Sequence, residues 1–327
     1  MTILVFSLAF AVAALAAGLM GFAIQRGGTC TVAAVDEVIG KRSAKRLVAL
    51  LEASLWVAGG LLVVRTLGLL PKMPAGYAVG SATVLGGLLL GLGAYVNRAC
   101  VFGAIARFGS GEWAYVLTPV GFYVGCITVA DVFAPMMPKR LPHDSLVLQA
   151  PAWAAAVFSV FAVARVLWSV IHARRNRQPL HARVWSPHAA TTVIGLAFLV
   201  MLLLVGAWAY TELLADLARG MAANLAARSL LLLALLAGAA LGGWTARRFE
   251  SRRIAVAQLL KCFAGGVLMG WGSLLIPGGN DGLILVGMPL LWPYAWLAFA
   301  SMCVAIGAAQ LLQRVVTIAV RTDRSFL

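Results

Sequence analysis

Two cysteines end the same ten-residue pattern at two places in the chain. Gly21 to Cys30 reads GFAIQRGGTC and Gly91 to Cys100 reads GLGAYVNRAC, so each cysteine follows the first glycine by nine positions. A thiol is polarisable and a weak hydrogen-bond donor. Arg26 and Arg98 lie four and two residues before the cysteines and add positive charge. Thiols beside arginines favour a site for a sulfur-containing anion, because hydroxyls and amides would serve a hard oxyanion.

A third copy of the pattern lies in the second half of the chain. Gly270 to Gly279 reads GWGSLLIPGG with the same spacing, but its last residue is glycine. A fourth copy is expected near Gly206 to Ala215, where GAWAYTELLA is a weak match. Each clear copy ends an apolar stretch and precedes a short segment. This order predicts a helix, a break at glycine or proline, and a short re-entrant half-helix.

The starts of these short helices are expected to face a central cavity. Helix N-termini present unpaired N–H groups and partial positive charge, which favour an anion. Thr29, Thr31, Asn280 and Asp281 are residue types that cap helix starts. The residues expected to line the path of the anion are Cys30, Cys100, Gly28, Thr29, Arg98, Gly278, Gly279 and Asn280.

Several of these residues also have plainer interpretations. Arg26 and Arg98 could serve only to orient the chain in a membrane, and glycine-rich stretches often mark close helix packing. Glu52 and Arg65 lie within apolar stretches, which is costly unless each faces a partner or the cavity. The remaining cysteines are interpreted as small core residues: Cys126, Cys262 and Cys303.

The composition identifies a membrane protein. Of the 327 residues, 62% are hydrophobic and 11% are charged, with a mean hydropathy of +0.94, which is too little charge for the surface of a soluble domain. The net charge of +15 comes from short basic clusters between apolar stretches, so a nucleic-acid partner is not expected. The five cysteines have no metal-ligand spacing, and no metal, cofactor or nucleotide-binding motif is expected.

Nine apolar stretches approach the roughly 20 residues that cross a bilayer. The predicted spans are roughly 3–25, 47–68, 77–96, 112–134, 152–172, 189–214, 225–246, 254–276 and 293–314. Basic residues concentrate after the odd-numbered spans, which predicts an external N-terminus and a cytoplasmic C-terminus. The chain is therefore expected to be an all-α polytopic membrane protein and not an enzyme.

An odd number of spans favours an inverted repeat, because four spans return the chain to its starting side and a fifth carries it across. We expect a single membrane domain over residues 1–327 in a 4+1+4 arrangement. The first repeat is predicted over 1–134, a linker span with a basic cytoplasmic loop over 135–188, and the second repeat over 189–327.

Three stretches resemble the sulfur-transport (YeeE/YedE) family of bacterial inner-membrane proteins: GFAIQRGGTCTVAAVDEV, NRACVFGAIARFGSGEWAY and GGVLMGWGSLLIPGGNDGLILVG. The resemblance implies thiosulfate import through a central path whose cysteines hold the substrate by thiol-to-sulfur hydrogen bonds. Cys30 and Cys100 match two of the family cysteines, and Gly279 stands where a third is expected. The resemblance also implies membrane lipid and a small cytoplasmic sulfur-carrier protein as partners.

Three alternatives remain open at this point. The glycine at position 279 leaves another sulfur or selenium anion as the substrate. Cys30 and Cys100 could instead be an exchanging pair of a membrane thiol redox protein, which requires Cα atoms about 4.4–6.8 Å apart. Finally, the chain could be a subunit or scaffold whose thiols are incidental.

Overall fold

The chain is helical throughout the part that the computed structural model describes, which is residues 7–133, 138–175, 184–221, 224–250 and 255–324. In those ranges the β-structure is an isolated bridge between Tyr77 and Arg140. The helices in chain order are α1 (Leu8–Gly27), α2 (Thr31–Lys41), α3 (Lys45–Thr66), α4 (Ser81–Asn97), α5 (Val101–Gly109), α6 (Leu117–Phe133), α7 (Leu146–Gln149), α8 (Ala152–Arg175), α9 (Pro187–Val205), α10 (Tyr210–Ala218), α11 (Leu225–Thr245), α12 (Val256–Leu275), α13 (Asn280–Gly282) and α14 (Pro293–Arg324). A 3₁₀ turn, Trp113–Val116, precedes α6, and a π-helical turn, Leu283–Gly287, follows α13.

The described helices confirm an all-α polytopic membrane protein. Seven segments are long and apolar enough to cross a membrane, and the count rises to eight when α12 and α13 with its π-turn form one span, bent by 48° at its break. Two of the seven contain a break: Leu8–Lys41 joins α1 to α2, and Ser81–Gly109 joins α4 to α5. The count of nine stays a prediction, since the apolar part of α8, Ala152–Trp168, is shorter than the other spans.

The predicted sixth span is too long. It was expected over 189–214, but α9 ends at Val205 and α10 begins at Tyr210. Gly206, with φ +86°, ends α9 in a backbone conformation that favours glycine. This break lies where the weak fourth copy of the pattern was expected.

The helices pair in the way that an inverted repeat would produce. α1 packs on α9 and α11, while α9 packs on α3; α4 packs on α12 and α14, while α12 packs on α6. Exchanging α1 with α9, α3 with α11, α4 with α12 and α6 with α14 returns the same set of contacts: α1 on α11 becomes α9 on α3, and α4 on α14 becomes α12 on α6. The repeat and its domain bounds stay predictions. The boundary at residue 134 and most of the basic loop, residues 176–183, lie outside the described residues.

The first glycine of each clear copy lies where two helices cross. A Cβ added to Gly21 would lie 1.9 Å from the carbonyl oxygen of Leu235 in α11. A Cβ added to Gly91 or Gly270 would lie 2.4 Å or 2.3 Å from a carbonyl oxygen of α14 or α6. No side chain fits at these crossings, so the leading glycine of the pattern serves helix packing.

Both charged residues expected within spans have protein partners. Glu52 in α3 accepts a hydrogen bond from Arg165 Nε of α8 at 3.0 Å and is hydrogen-bonded to His188 Nδ1 of α9. Arg65 donates to backbone carbonyl oxygens at the end of α7. These contacts join α3 to α7, α8 and α9, and they account for both charges without assigning them to a transport path.

Candidate functional site

Four helix breaks meet inside the protein, each between a long helix and a short one. The short helices α2, α5, α10 and α13 begin after residues that share an extended backbone and no side-chain capping hydrogen bond: Cys30, Cys100, Ala209 and Gly279. In the three clear copies of the pattern, the last residue is therefore the N-cap. The copy that ends at Ala209 begins at Val200 and has no leading glycine. The predicted register, Gly206 to Ala215, is wrong.

Cys30 and Cys100 lie side by side at the first two breaks. The backbone N–H of Thr31, the residue after Cys30, donates to Cys100 Sγ at 3.1 Å. Cys100 is fully buried, whereas Cys30 is half-buried on a cavity wall. Gly103 of α5 makes room for this pair, since a Cβ there would lie 2.6 Å from Cys30 Sγ. The structure thus brings together the two cysteines that the sequence singled out.

Asn280 connects this thiol pair to the break in the second half. Its Oδ1 accepts a hydrogen bond from the Thr31 hydroxyl at 3.2 Å. The side chain is fully buried, and its Nδ2 has no hydrogen-bond partner among the described residues. An unpaired buried donor costs about 1–3 kcal/mol. The Asn280 Nδ2 is therefore free to donate a hydrogen bond to a ligand at the junction of these helix starts.

Asp281 fastens α13 to α10. Its carboxylate accepts hydrogen bonds from the Thr211 hydroxyl, from the Thr211 N–H at 3.2 Å and from the Gly282 N–H at 3.0 Å. The capping role expected for Asp281 is present, and the helix it caps is the neighbouring α10. The expectation that Thr29, Thr31 and Asn280 are N-caps is wrong, because Cys30 and Gly279 hold the N-cap positions.

Thr211 fills the space beside Gly279. A Cβ added to Gly279 would lie 2.4 Å from Thr211 Oγ1 and 2.7 Å from Thr211 Cβ. A cysteine at 279 would therefore displace Thr211. The neighbouring Gly278 has a φ of +148°, and Gly28 has a φ of +55°, so both breaks use backbone that favours glycine.

A cavity of about 390 Å³ leads to Cys30 and is named here the arginine cavity. The charged residues that line it are Asp36, Arg46, Arg98, Arg107 and Arg248. Of the residues predicted to line the path, Arg98 is exposed in this cavity and Gly28 also lines it. Arg26 does not line it: the side chain is 4% exposed, and Nη2 donates to Thr245 Oγ1 of α11 at 2.8 Å. Thr29 is buried away from this cavity.

A second cavity, of about 290 Å³, lies at the opposite end of α1 and is named here the carboxylate cavity. Phe10, in the first turn of α1, lines it, whereas Gln25, in the last turn, lines the arginine cavity. At 1.5 Å per residue these positions are about 20 Å apart along the helix. The charged residues that line the second cavity are Glu212, Asp216 and Arg228. The four breaks thus lie between two cavities on opposite sides.

The sequence matches the Sulphur transport family over residues 26–308, a range that contains all four breaks. The chain belongs to the sulphur-transport family. A curated relative, the thiosulfate transporter TsuA of Escherichia coli (strain K12), is 23% identical over 339 aligned positions, which cover 90% of this chain and 92% of that protein. These findings confirm the family that the three sequence stretches resemble.

Sequence reasoning missed several site residues of this sulphur-transport protein. Thr211 and Glu212 lie directly after the fourth break, and YTE follows Ala209 in the sequence. Aligning the four N-caps would have found them, but the fourth copy lacks the leading glycine. Gly103, three residues after Cys100, gave no signal, because its role depends on the position of Cys30 in another helix.

Proposed function

We propose that this sulphur-transport protein imports thiosulfate, or a closely related sulfur-containing anion, across the bacterial inner membrane. The N-terminus lies outside and the C-terminus in the cytoplasm. The carboxylate cavity is the outer entrance and the arginine cavity the inner exit, with Cys30 and Cys100 on the path between them. Family membership supports sulfur transport, and the relative named as a thiosulfate transporter supports the substrate.

The observation that carries the proposal is the unpartnered Nδ2 of Asn280 at the junction with the thiol pair. An anion that leaves water needs oriented donors in place of its hydration shell. The junction offers this amide and the two thiols, beside the partial positive charge at the starts of α2 and α5. Thiol hydrogen bonds are weak, which suits a site that must release what it binds.

The arginine cavity supports the direction of transport. Four arginines line it, and basic residues favour the cytoplasmic side of a membrane protein. Their field attracts an anion from the central junction and lowers the electrostatic cost of leaving it. A small sulfur-carrier protein in the cytoplasm would receive the product at this opening.

Uptake of sulfur-labelled thiosulfate into cells that lack their own importers tests the proposal. Cys30→Ala and Cys100→Ala are expected to lower uptake at least tenfold at equal amounts of inserted protein. Cys303→Ala is the matched control, because Cys303 is half-buried like Cys30 but lies within the long helix α14. Equal uptake by all variants would contradict the thiol path. Absence of uptake by the intact, inserted chain would contradict thiosulfate as the substrate, and other sulfur and selenium anions would then be assayed.

A second candidate function is thiol redox chemistry, which the neighbouring positions of Cys30 and Cys100 favour. An exchanging pair would form a mixed disulfide with a partner thiol when one of the two cysteines is absent. Two results together would favour redox chemistry over transport through the thiols. The Cys100→Ala variant would trap such an adduct, and neither cysteine substitution would change thiosulfate uptake.

A further inference from the structure

The carboxylate cavity, which we proposed as the outer entrance, contains a partly buried acid. Glu212, half-buried in the first turn of α10, lines the cavity. A Cβ added to Gly282 of α13 would lie 3.5 Å from Glu212 Oε1, so this carboxylate adjoins the residue that follows Asp281. Glu212 is therefore the acid that lies between the cavity and the central junction.

Acidic groups dominate the surroundings of Glu212. The ionisable groups that face it are Asp216 on α10, Arg228 on α11, Asp281 on α13 and Tyr294 on α14. Arg228 is already paired with Asp216 at 2.7 Å. Asp281 accepts hydrogen bonds from two donors of Thr211 at the start of α10 and from the N–H of Gly282. Glu212 forms no salt bridge with any cation in the described part of the chain.

Two more helices pack against α10, and neither neutralises Glu212. The acidic residue of α6 is Asp131 and the basic residue of α12 is Lys261. Neither forms a salt bridge with Glu212. An ionised Glu212 would thus add to the negative charge of Asp281 and repel an anion that approaches the junction.

The membrane potential imposes a second requirement. At a membrane potential of 100 mV, inside negative, a dianion that crosses without a cation reaches an equilibrium concentration about 2,000-fold lower inside than outside. Each proton that travels with it reduces this factor about fiftyfold. The chain carries no nucleotide-binding motif, so the energy comes from an ion gradient or from consumption of the anion inside, and an accompanying cation would supply the first.

We propose that Glu212 is the proton-binding residue of a proton–anion symport, an inference that rests on the proposed function. A proton from the outer solution binds one carboxylate oxygen of Glu212 and removes the like charge from the path. The anion passes the neutral acid and reaches Asn280 and the thiols. The proton then leaves Glu212 and is released on the cytoplasmic side with the anion, which regenerates the carboxylate.

The test uses the purified full chain in liposomes that enclose a pH-sensitive dye, with the potential clamped at zero by potassium and valinomycin. Two signals are measured: exchange of labelled for unlabelled thiosulfate at equal pH, and acidification of the lumen when thiosulfate is added outside. Glu212→Gln is expected to keep the rate of exchange within about twofold of the unmodified chain. Its rate of acidification is expected to fall at least tenfold. Asp131→Asn, the same chemical change at an exposed position of α6, should retain both signals.

Each outcome bears on a different claim. Exchange without acidification in the unmodified chain would overturn the symport and would not contradict the proposed function. Absence of exchange in the unmodified chain would contradict the proposed function itself. Acidification at the unmodified rate in Glu212→Gln, or loss of exchange together with acidification, would overturn the assignment to Glu212. Glu212→Asp keeps an acid at this position and is expected to restore acidification. Failure of this variant to acidify while it still exchanges would also refute the proposal.

Discussion

Gly279→Cys, which restores a thiol where the family resemblance implies one, is expected to destabilise this protein. The backbone does not oppose the change, because the φ of −74° at Gly279 is open to any residue. The obstacle is Thr211, whose Oγ1 and Cβ would lie 2.4 Å and 2.7 Å from the new Cβ. Contacts under 3.0 Å force atoms to move, and Thr211 is held by its hydrogen bonds to Asp281.

The size of the effect follows from two contributions. Overpacking of a well-packed interior costs about 1–3 kcal/mol. Displacing Thr211 also weakens its hydrogen bond to the Asp281 carboxylate, which costs about 1 kcal/mol more. We therefore expect Gly279→Cys to lower the free energy of unfolding by about 2–4 kcal/mol. Thr211→Gly removes the obstructing atoms, so the double variant should recover about 2 kcal/mol relative to the sum of the single changes.

Reversible unfolding in mixed micelles, analysed as a double-mutant cycle, measures this coupling. Gly80→Cys is the matched control, because Gly80 is also an N-cap with an extended backbone and a Cβ there would meet nothing within 4 Å. That change should stay within about 0.5 kcal/mol of the unmodified chain. If Gly279→Cys were as stable as Gly80→Cys, or if the coupling to Thr211→Gly were zero, the steric explanation for the missing thiol would be refuted.

Two further predictions concern the arginine cavity and its thiol. Gly103→Ala should lower thiosulfate uptake at least tenfold, because its Cβ would lie 2.6 Å from Cys30 Sγ, whereas Gly307→Ala, with no contact closer than 3.6 Å, should transport normally. Normal uptake by Gly103→Ala would show that the thiol can move without loss. Arg98→Gln should raise the apparent KM for a divalent anion and weaken the salt dependence of uptake, while Arg26→Gln should lower thermal stability and leave KM unchanged. An unchanged KM in Arg98→Gln would leave that arginine as an orientation signal.

The class of protein and the positions of three breaks follow from the sequence. Composition alone identifies a membrane protein, because so few charged residues cannot cover a soluble surface. The pattern from Gly21 to Cys30 locates a helix crossing at its first residue and an N-cap at its last. Both features are local, since glycine permits close packing and the spacing along one helix is fixed by its geometry.

The assembly of the junction could not be predicted in the same way. The hydrogen bond from Thr31 to Asn280 joins residues 249 positions apart, and no local pattern reports such a contact. The threonines near Cys30 were interpreted as caps from residue preference alone, but the cysteine itself occupies the N-cap. Glu212 was overlooked because its proposed role rests on having no salt bridge to a cation among the described residues, which depends on how α10, α11 and α13 are arranged.

The close helix crossings bear on which parts of the molecule can move. Gly21, Gly91 and Gly270 bring a backbone of one predicted half against a backbone of the other, with no side chain between them. Sliding or tilting these helices would bring a residue with a Cβ against a carbonyl oxygen, so interlocked crossings resist rocking of one half on the other. If the anion follows the proposed path, we expect the path to open by movement of the short helices, which a few hydrogen bonds hold together. The long helices would then stay fixed during a transport cycle.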